Sequence, residues 1–147
     1  MDNKNIEMMV SGLTISEEDQ QAVLQLAREM DRRWNQRDAK AFADLFVEDG
    51  DFRIYTSAWL KDKASIEAFW KNEVFPGLTE SMRHEITTTR VRFLSKDVAI
   101  GDGILRLVDG SEMQERVLVE REGTLILVKK DARWYISAAR LATVTPG

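Results

Sequence analysis

No cysteine occurs in the chain, which removes disulfides, thiolate zinc sites and a cysteine nucleophile together. Histidine is nearly as scarce. His84 is the only one, so any imidazole chemistry must come from it, and a single histidine among scattered carboxylates makes no recognisable metal-ligand spacing. Neither a metal nor a cofactor is expected. An excess of one charge is missing too: 21 basic and 25 acidic side chains leave a net charge of -4, mixed along the sequence. There is thus no footprint for phosphate backbones, and nucleic acid is excluded as a partner. Apolar runs of about eighteen residues are absent, which excludes a membrane-spanning helix. The cluster Met8, Met9 and Val10 is broken by Ser11 and Gly12, too soon for the core of an export signal. The expectation is a soluble, cytoplasmic protein.

What is present suffices for one core, because 44% of 147 residues are hydrophobic. A single domain over residues 16–147 is expected behind an N-terminal extension, residues 1–15. In that extension Met8, Met9, Val10 and Leu13 are either disordered or packed on a partner subunit. Ser16 ahead of Glu17, Glu18 and Asp19 reads as an N-cap, with Asp19 as the reciprocal half of a capping box. The helix it opens places Val23, Leu26, Ala27, Met30 and Trp34 on one face and Arg28, Asp31 and Arg32 on the other.

A second helix is predicted from Asp38 to a stop at Asp49-Gly50, with Ala39, Phe42, Ala43 and Phe46 inward. A short strand from Asp51 to Tyr55 follows, and a third helix from Asp62 to Phe75 ends at Pro76-Gly77. The segments Met82–Leu94, Val98–Val108, Arg116–Lys130 and Trp134–Val144 carry β-branched or alternating patterns with short turns between them. Three helices followed by such a meander predict an α+β architecture, with helices on one face of a curved antiparallel sheet.

That order, with "WNQRDAKAFADLFVEDGDF", "HEITTTRVRFLSKDVAIGDG" and "GTLILVKKDARWYISAARLATV", resembles the SnoaL-like branch of the nuclear transport factor 2-like superfamily. The markers are Trp34 and Asp38, the Asp49-Gly50-Asp51 turn, and Trp134 with Ile136. The resemblance implies a cystatin-like cone in which the bent sheet wraps three N-terminal helices around an apolar pocket. It also implies a homodimer formed through the sheet. Members include isomerases, cyclases, dehydratases and proteins without known catalysis. Ketosteroid isomerase, in the same superfamily, works with an Asp base and an oxyanion hole of Tyr and protonated Asp. On this chain the tyrosine position falls at about Met30, the base at about Ile54 and the second acid near Leu125, all apolar, which argues against that mechanism.

The family's register turns Phe52, Ile54, His84, Ile86, Thr88, Ile100, Asp102, Ile104, Arg106, Ile136, Ala138 and Arg140 toward the cone, and a single bulge would flip part of that set. Asp102, between Gly101 and Gly103, is then the sharpest acid/base candidate, and the alternative is a buried partner for Arg106 or Arg140. Arg140 stands where many SnoaL-like sequences carry histidine; it either clamps an anionic oxygen or closes the cone in an ion pair. His84 is placed near the rim. Trp34 joins the apolar wall with Leu125, and Tyr55 and Trp59 flank the expected entrance. Two functions follow. One is binding of a small apolar or aromatic molecule, with acid/base catalysis by Asp102 and Arg140; the other is a non-catalytic dimeric module.

Overall fold

The computed structural model describes residues 6–110 and 113–144. Residues 1–5 and 145–147, parts of the expected extension and domain, lie outside the described residues. The order of elements is β1 (Glu7–Met9), α1 (Glu17–Asn35), α2 (Ala39–Ala43), β2 (Phe46–Ile54), β3 (Ala58–Leu60), α3 (Lys63–Phe69), β4 (Met82–Ser95), β5 (Val98–Asp109), β6 (Arg116–Lys130) and β7 (Arg133–Thr143). All seven strands form one curved, unclosed sheet in the order β1-β4-β5-β6-β7-β2-β3. Its centre, β4 to β7, is the antiparallel meander read from the sequence. The outer pairings β1 with β4 and β2 with β7 run parallel, so the whole is mixed.

Helix α1 begins as its sequence dictates: Ser16 Oγ accepts from the Asp19 amide at 3.0 Å, satisfying one of the orphan donors of the first turn. The reciprocal half of the box does not form. Asp19 instead reaches across to the sheet, accepting from Trp134 Nε1 at 2.9 Å and Lys129 Nζ at 3.0 Å, and these donors hold its carboxyl below the usual carboxylate range. The apolar stripe Val23, Leu26, Ala27, Met30 and Trp34 is buried.

The second helix is shorter than its pattern predicts. Asp38 does cap it, through the Ala41 amide, but it ends at Ala43, and Phe46 already belongs to β2, opposite Ile136 of β7. Asp49-Gly50 therefore sits inside a strand, in the register shift between Phe46 and Asp51. A Cβ at Gly50 would lie 2.9 Å from Val47 O and 3.3 Å from Ile136 O, so the glycine admits a bulge rather than ending a helix. The third helix is cut short as well: its α-helical part stops at Phe69, and a π-helical turn, Trp70–Val74, and a 3-10 turn, Phe75–Gly77, complete the run. Phe42, Phe46, Phe52 and Trp70 interlock at ring distances of 4.8 to 5.9 Å and close the narrow end of the cone.

The apolar segment before α1 packs on its own chain. Glu7–Met9 adds β1 beside Arg90–Arg92 of β4, and Met8, Val10 and Leu13 pack on the core. Since β1 covers only that part of β4, the β4 edge from Met82 to Thr88 has no neighbouring strand on that side among the described residues. Among the described residues no helix is long and apolar enough to cross a membrane.

Candidate functional site

Between the helices and the inner face of the sheet lies a cavity of about 280 Å³. An engineered apolar cavity of roughly 150 Å³ accepts benzene, so this one has room for a larger ring compound. Its floor follows from the ladder, rung by rung. At the closed end stand Phe93, Ala99, Leu127 and Ile136, all buried. Val91, Gly101, Leu125 and Ala139 come next, then Gly103, Gly123 and Leu141, then Ile86, Leu105, Arg121 and Thr143. The last rung is His84, Leu107 and Val119. The cavity exists because the middle of its floor is glycine. A Cβ at Gly101 would meet only Leu127 Cδ1, at 3.8 Å.

His84 is 5% exposed, deeper than the rim position expected of it. Its ring stacks on Trp34 with centroids 4.7 Å apart and planes 25° apart. Its Nδ1 lies 2.7 Å from Asp31 Oδ1, and the other oxygen, Oδ2, accepts from the Ile86 amide at 3.0 Å. Asn35, one turn beyond Asp31, accepts from the His84 amide at 2.8 Å and donates to the His84 carbonyl at 3.0 Å. The bare edge of β4 is thus sealed by two side chains of α1 in place of a strand. An ionised carboxylate only accepts, so the proton shared in this pair belongs on Nδ1, and in the neutral ring that tautomer carries its lone pair on Nε2. Among the described residues no hydrogen bond engages Nε2. Sequence reasoning placed Asp31 on the solvent face and missed this pair. The available signal was the spacing of Asp31 and Asn35, one turn apart beside Met30 and Trp34, with α1 able to lie along a strand edge.

The ladder corrects the inward register of β5 and β7. His84 pairs with Leu107 and Val91 with Gly101, so Ile100, Asp102, Ile104 and Arg106 belong to the outer face. On β7 a shift opposite Ile126 and Leu127 keeps Ile136 inward but turns Ala138 and Arg140 outward. The outer charges are matched there: Arg140 binds Asp51 at 2.6 Å, Arg106 binds Glu120 at 2.6 Å, and Asp102 accepts from Thr124 at 2.7 Å. Asp102 and Ile104 still contribute to the cavity wall, on either side of Gly103. The Asp51 carboxylate raises the Arg140 pKa further, which fixes that guanidinium as a charged partner. Tyr55 and Trp59 are outside as well, one on each side of Arg53 with the guanidinium 4.5 Å from both rings. Of the expected wall residues, Trp34, Phe52, Ile54, His84, Ile86 and Leu125 line the cavity, together with Met30. Tyr55, Trp59, Arg106, Ala138 and Arg140 do not.

Ser57, Thr88, Arg121 and Trp70 add polar groups to the wall. Arg121, absent from the sequence reading, lines the cavity and makes one hydrogen bond, from Nη1 to the Glu120 carbonyl at 3.3 Å. Trp70, in the π-helical turn, is buried with its Nε1 unpartnered among the described residues. Also among the described residues, no group of three or more His, Cys, Asp or Glu side chains is placed to hold a metal ion.

The SnoaL-like domain family matches residues 16–140. No curated protein matches the chain. Among solved structures, a domain of unknown function with a cystatin-like fold from Nostoc punctiforme superposes with a TM-score of 0.78 at 22% identity, covering 89% of this chain and 80% of the other. A nuclear transport factor 2-like protein with a cystatin-like fold from Novosphingobium aromaticivorans gives 0.78 at 19% identity, over 88% and 84% of the two chains. A provisionally assigned scytalone dehydratase from the same organism gives 0.73 at 14% identity, over 87% and 85%. At these identities the likeness is one of fold.

Proposed function

Because the chain belongs to the SnoaL-like domain family, with the nuclear transport factor 2-like, cystatin-like fold of its structural neighbours, we propose that it binds a small apolar molecule in the cone and acts on it by acid–base chemistry, with His84 as the base. The observation that carries this reading is the 2.7 Å contact of Asp31 with Nδ1 of His84, whose side chain lines an apolar cavity. Asp31 orients the ring, fixes its tautomer and stabilises the imidazolium that forms when Nε2 takes a proton. Trp34 holds the ring plane from the side. A proton taken from carbon and returned elsewhere gives isomerisation, and one taken with loss of a leaving group gives elimination. The provisional assignment of one structural neighbour as a dehydratase supports the elimination class. This reading moves the catalytic role to His84 from Asp102 and Arg140, which are engaged by Thr124 and Asp51.

His84 being the only imidazole, long-range 15N NMR on tag-free protein reads its tautomer without assignment. The expected spectrum of the neutral ring shows Nδ1 protonated and Nε2 bare; a neutral ring with its proton on Nε2 instead would end the role of His84 as base. A ligand that copurifies, identified by native mass spectrometry, supplies the substrate class for turnover assays.

The homodimer through the sheet belongs to the same proposal. Ile100, Ile104 and Ile126 are apolar residues on the outer face, a strip that a second copy would cover. Sedimentation of the wild type against Ile104→Glu tests it: a monomer in both removes the dimer.

A further inference from the structure

We propose that Arg121 is the anion anchor of the cavity and that the ligand class is a small apolar ring compound bearing one carboxylate. The inference rests on the cavity being a ligand site, as proposed above. The outer face provides the contrast that supports it. There, Arg106 and Arg140 are each held by a carboxylate at 2.6 Å. Arg121, facing the other way from the same sheet, has no carboxylate among the described residues and spends one of its five donors on a long bond to a neighbouring carbonyl. It is half-buried among Leu105, Val119, Gly123 and Leu141 in the wall. A guanidinium held against apolar groups without a counter-charge is costly, and a bidentate carboxylate is the partner its planar fork fits best.

The position is as informative as the missing partner. Arg121 stands opposite Leu105, one rung from the His84–Leu107 pair, so the two polar groups sit on adjacent rungs two strands apart. Two strand spacings are about 10 Å, and both side chains extend over the same curved floor. The space between guanidinium and imidazole suits a ring compound whose carboxylate meets Arg121 and whose far side meets His84 Nε2. Leu105 and Leu107 form the apolar floor between the two groups, and the rung of Gly103 and Gly123 lies next to Arg121 toward the closed end. The anion then fixes the orientation of an otherwise featureless apolar guest.

The test compares 1-naphthoate with 1-naphthamide, two probes of one shape that differ in charge, by quenching of Trp34 and Trp70, which line the cavity. Wild type is expected to bind the acid at least tenfold more tightly than the amide. Arg121→Gln should bring the two within about twofold while leaving the amide affinity unchanged, and Arg121→Lys should retain part of the preference. Equal affinities in wild type would overturn the anchor while leaving the cavity as a ligand site. Persistence of the preference in Arg121→Gln would overturn it too, as would its loss only in His84→Gln, which would give the anion to the imidazole. Failure of both probes to bind at millimolar concentration would overturn the anchor and the ligand site together. Unchanged amide binding in the variants shows that they are folded.

Discussion

The two faces of one sheet carry the same kinds of side chain to different ends. On the outer face Asp102, Arg106 and Arg140 are met by Thr124, Glu120 and Asp51. On the inner face, among the described residues, no hydrogen bond engages His84 Nε2 and no counter-ion meets Arg121. A polar residue in an apolar strand is thus not a site by virtue of its surroundings in sequence. Its function depends on whether the fold has already given it a partner, and the inner face is where partners are left open.

The sharpest way to break this contrast is at His84. His84→Gln should lower turnover of an identified substrate by about 10²- to 10⁴-fold, whereas Arg140→Gln should leave it within about twofold by steady-state assay. Next comes the cavity floor. Gly101→Leu directs its side chain into the space that a Cβ there barely touches and should weaken ligand binding about a hundredfold by titration, with the melting temperature unchanged or raised, since glycine weakens strand interiors.

Asp31→Ala should cost roughly 2–4 kcal/mol in urea unfolding, because both the His84 imidazole and the Ile86 amide lose an acceptor in a part-buried place. The outer pair is expected to matter least: Arg140→Gln, which breaks a partly exposed ion pair, should cost under about 1 kcal/mol. If Arg140 proves the more costly of the two, the inside–outside distinction fails.

A pH series sharpens the energetic side. The pKa of Asp19 is lowered in the fold by the Trp134 and Lys129 donors. Its stabilising effect is therefore present above the unfolded carboxylate value, near 3.8, and is lost as the pH falls through the lower folded value. Asp19→Asn should flatten the fall in stability in that acidic window; an unchanged acid profile would remove Asp19 as a contributor.

The meander was legible because β-branched alternation and turn residues agree: β6 runs over the expected residues, and the other three strands match within about one residue. The face of each strand was less legible, for a reason visible in β5. Its inward positions include Gly101 and Gly103, which carry no hydrophobic signal, while Ile100 and Ile104 on the outside carry a strong one. The pattern thus points to the wrong face. In β7 the shift between Ile136 and Ala138 reverses parity midway, something alternation alone does not reveal. The length of α2 was misread because Phe46 continues the helical spacing of Phe42 although its backbone pairs with Ile136. Asp31 was invisible for a different reason: it sits on the boundary of the helix stripe, and its value arises only when α1 lies along an unpaired strand edge.

Because the amides of His84 and Ile86 donate to Asn35 and Asp31 rather than to another strand, their hydrogens trade with solvent deuterium whenever α1 lifts from the β4 edge, with no strand separation required. These two backbone sites form a clock for the breathing of the wall that holds the base. A bound guest that steadies His84 would slow that clock while leaving the amides at the closed end of the cone on their own, slower time.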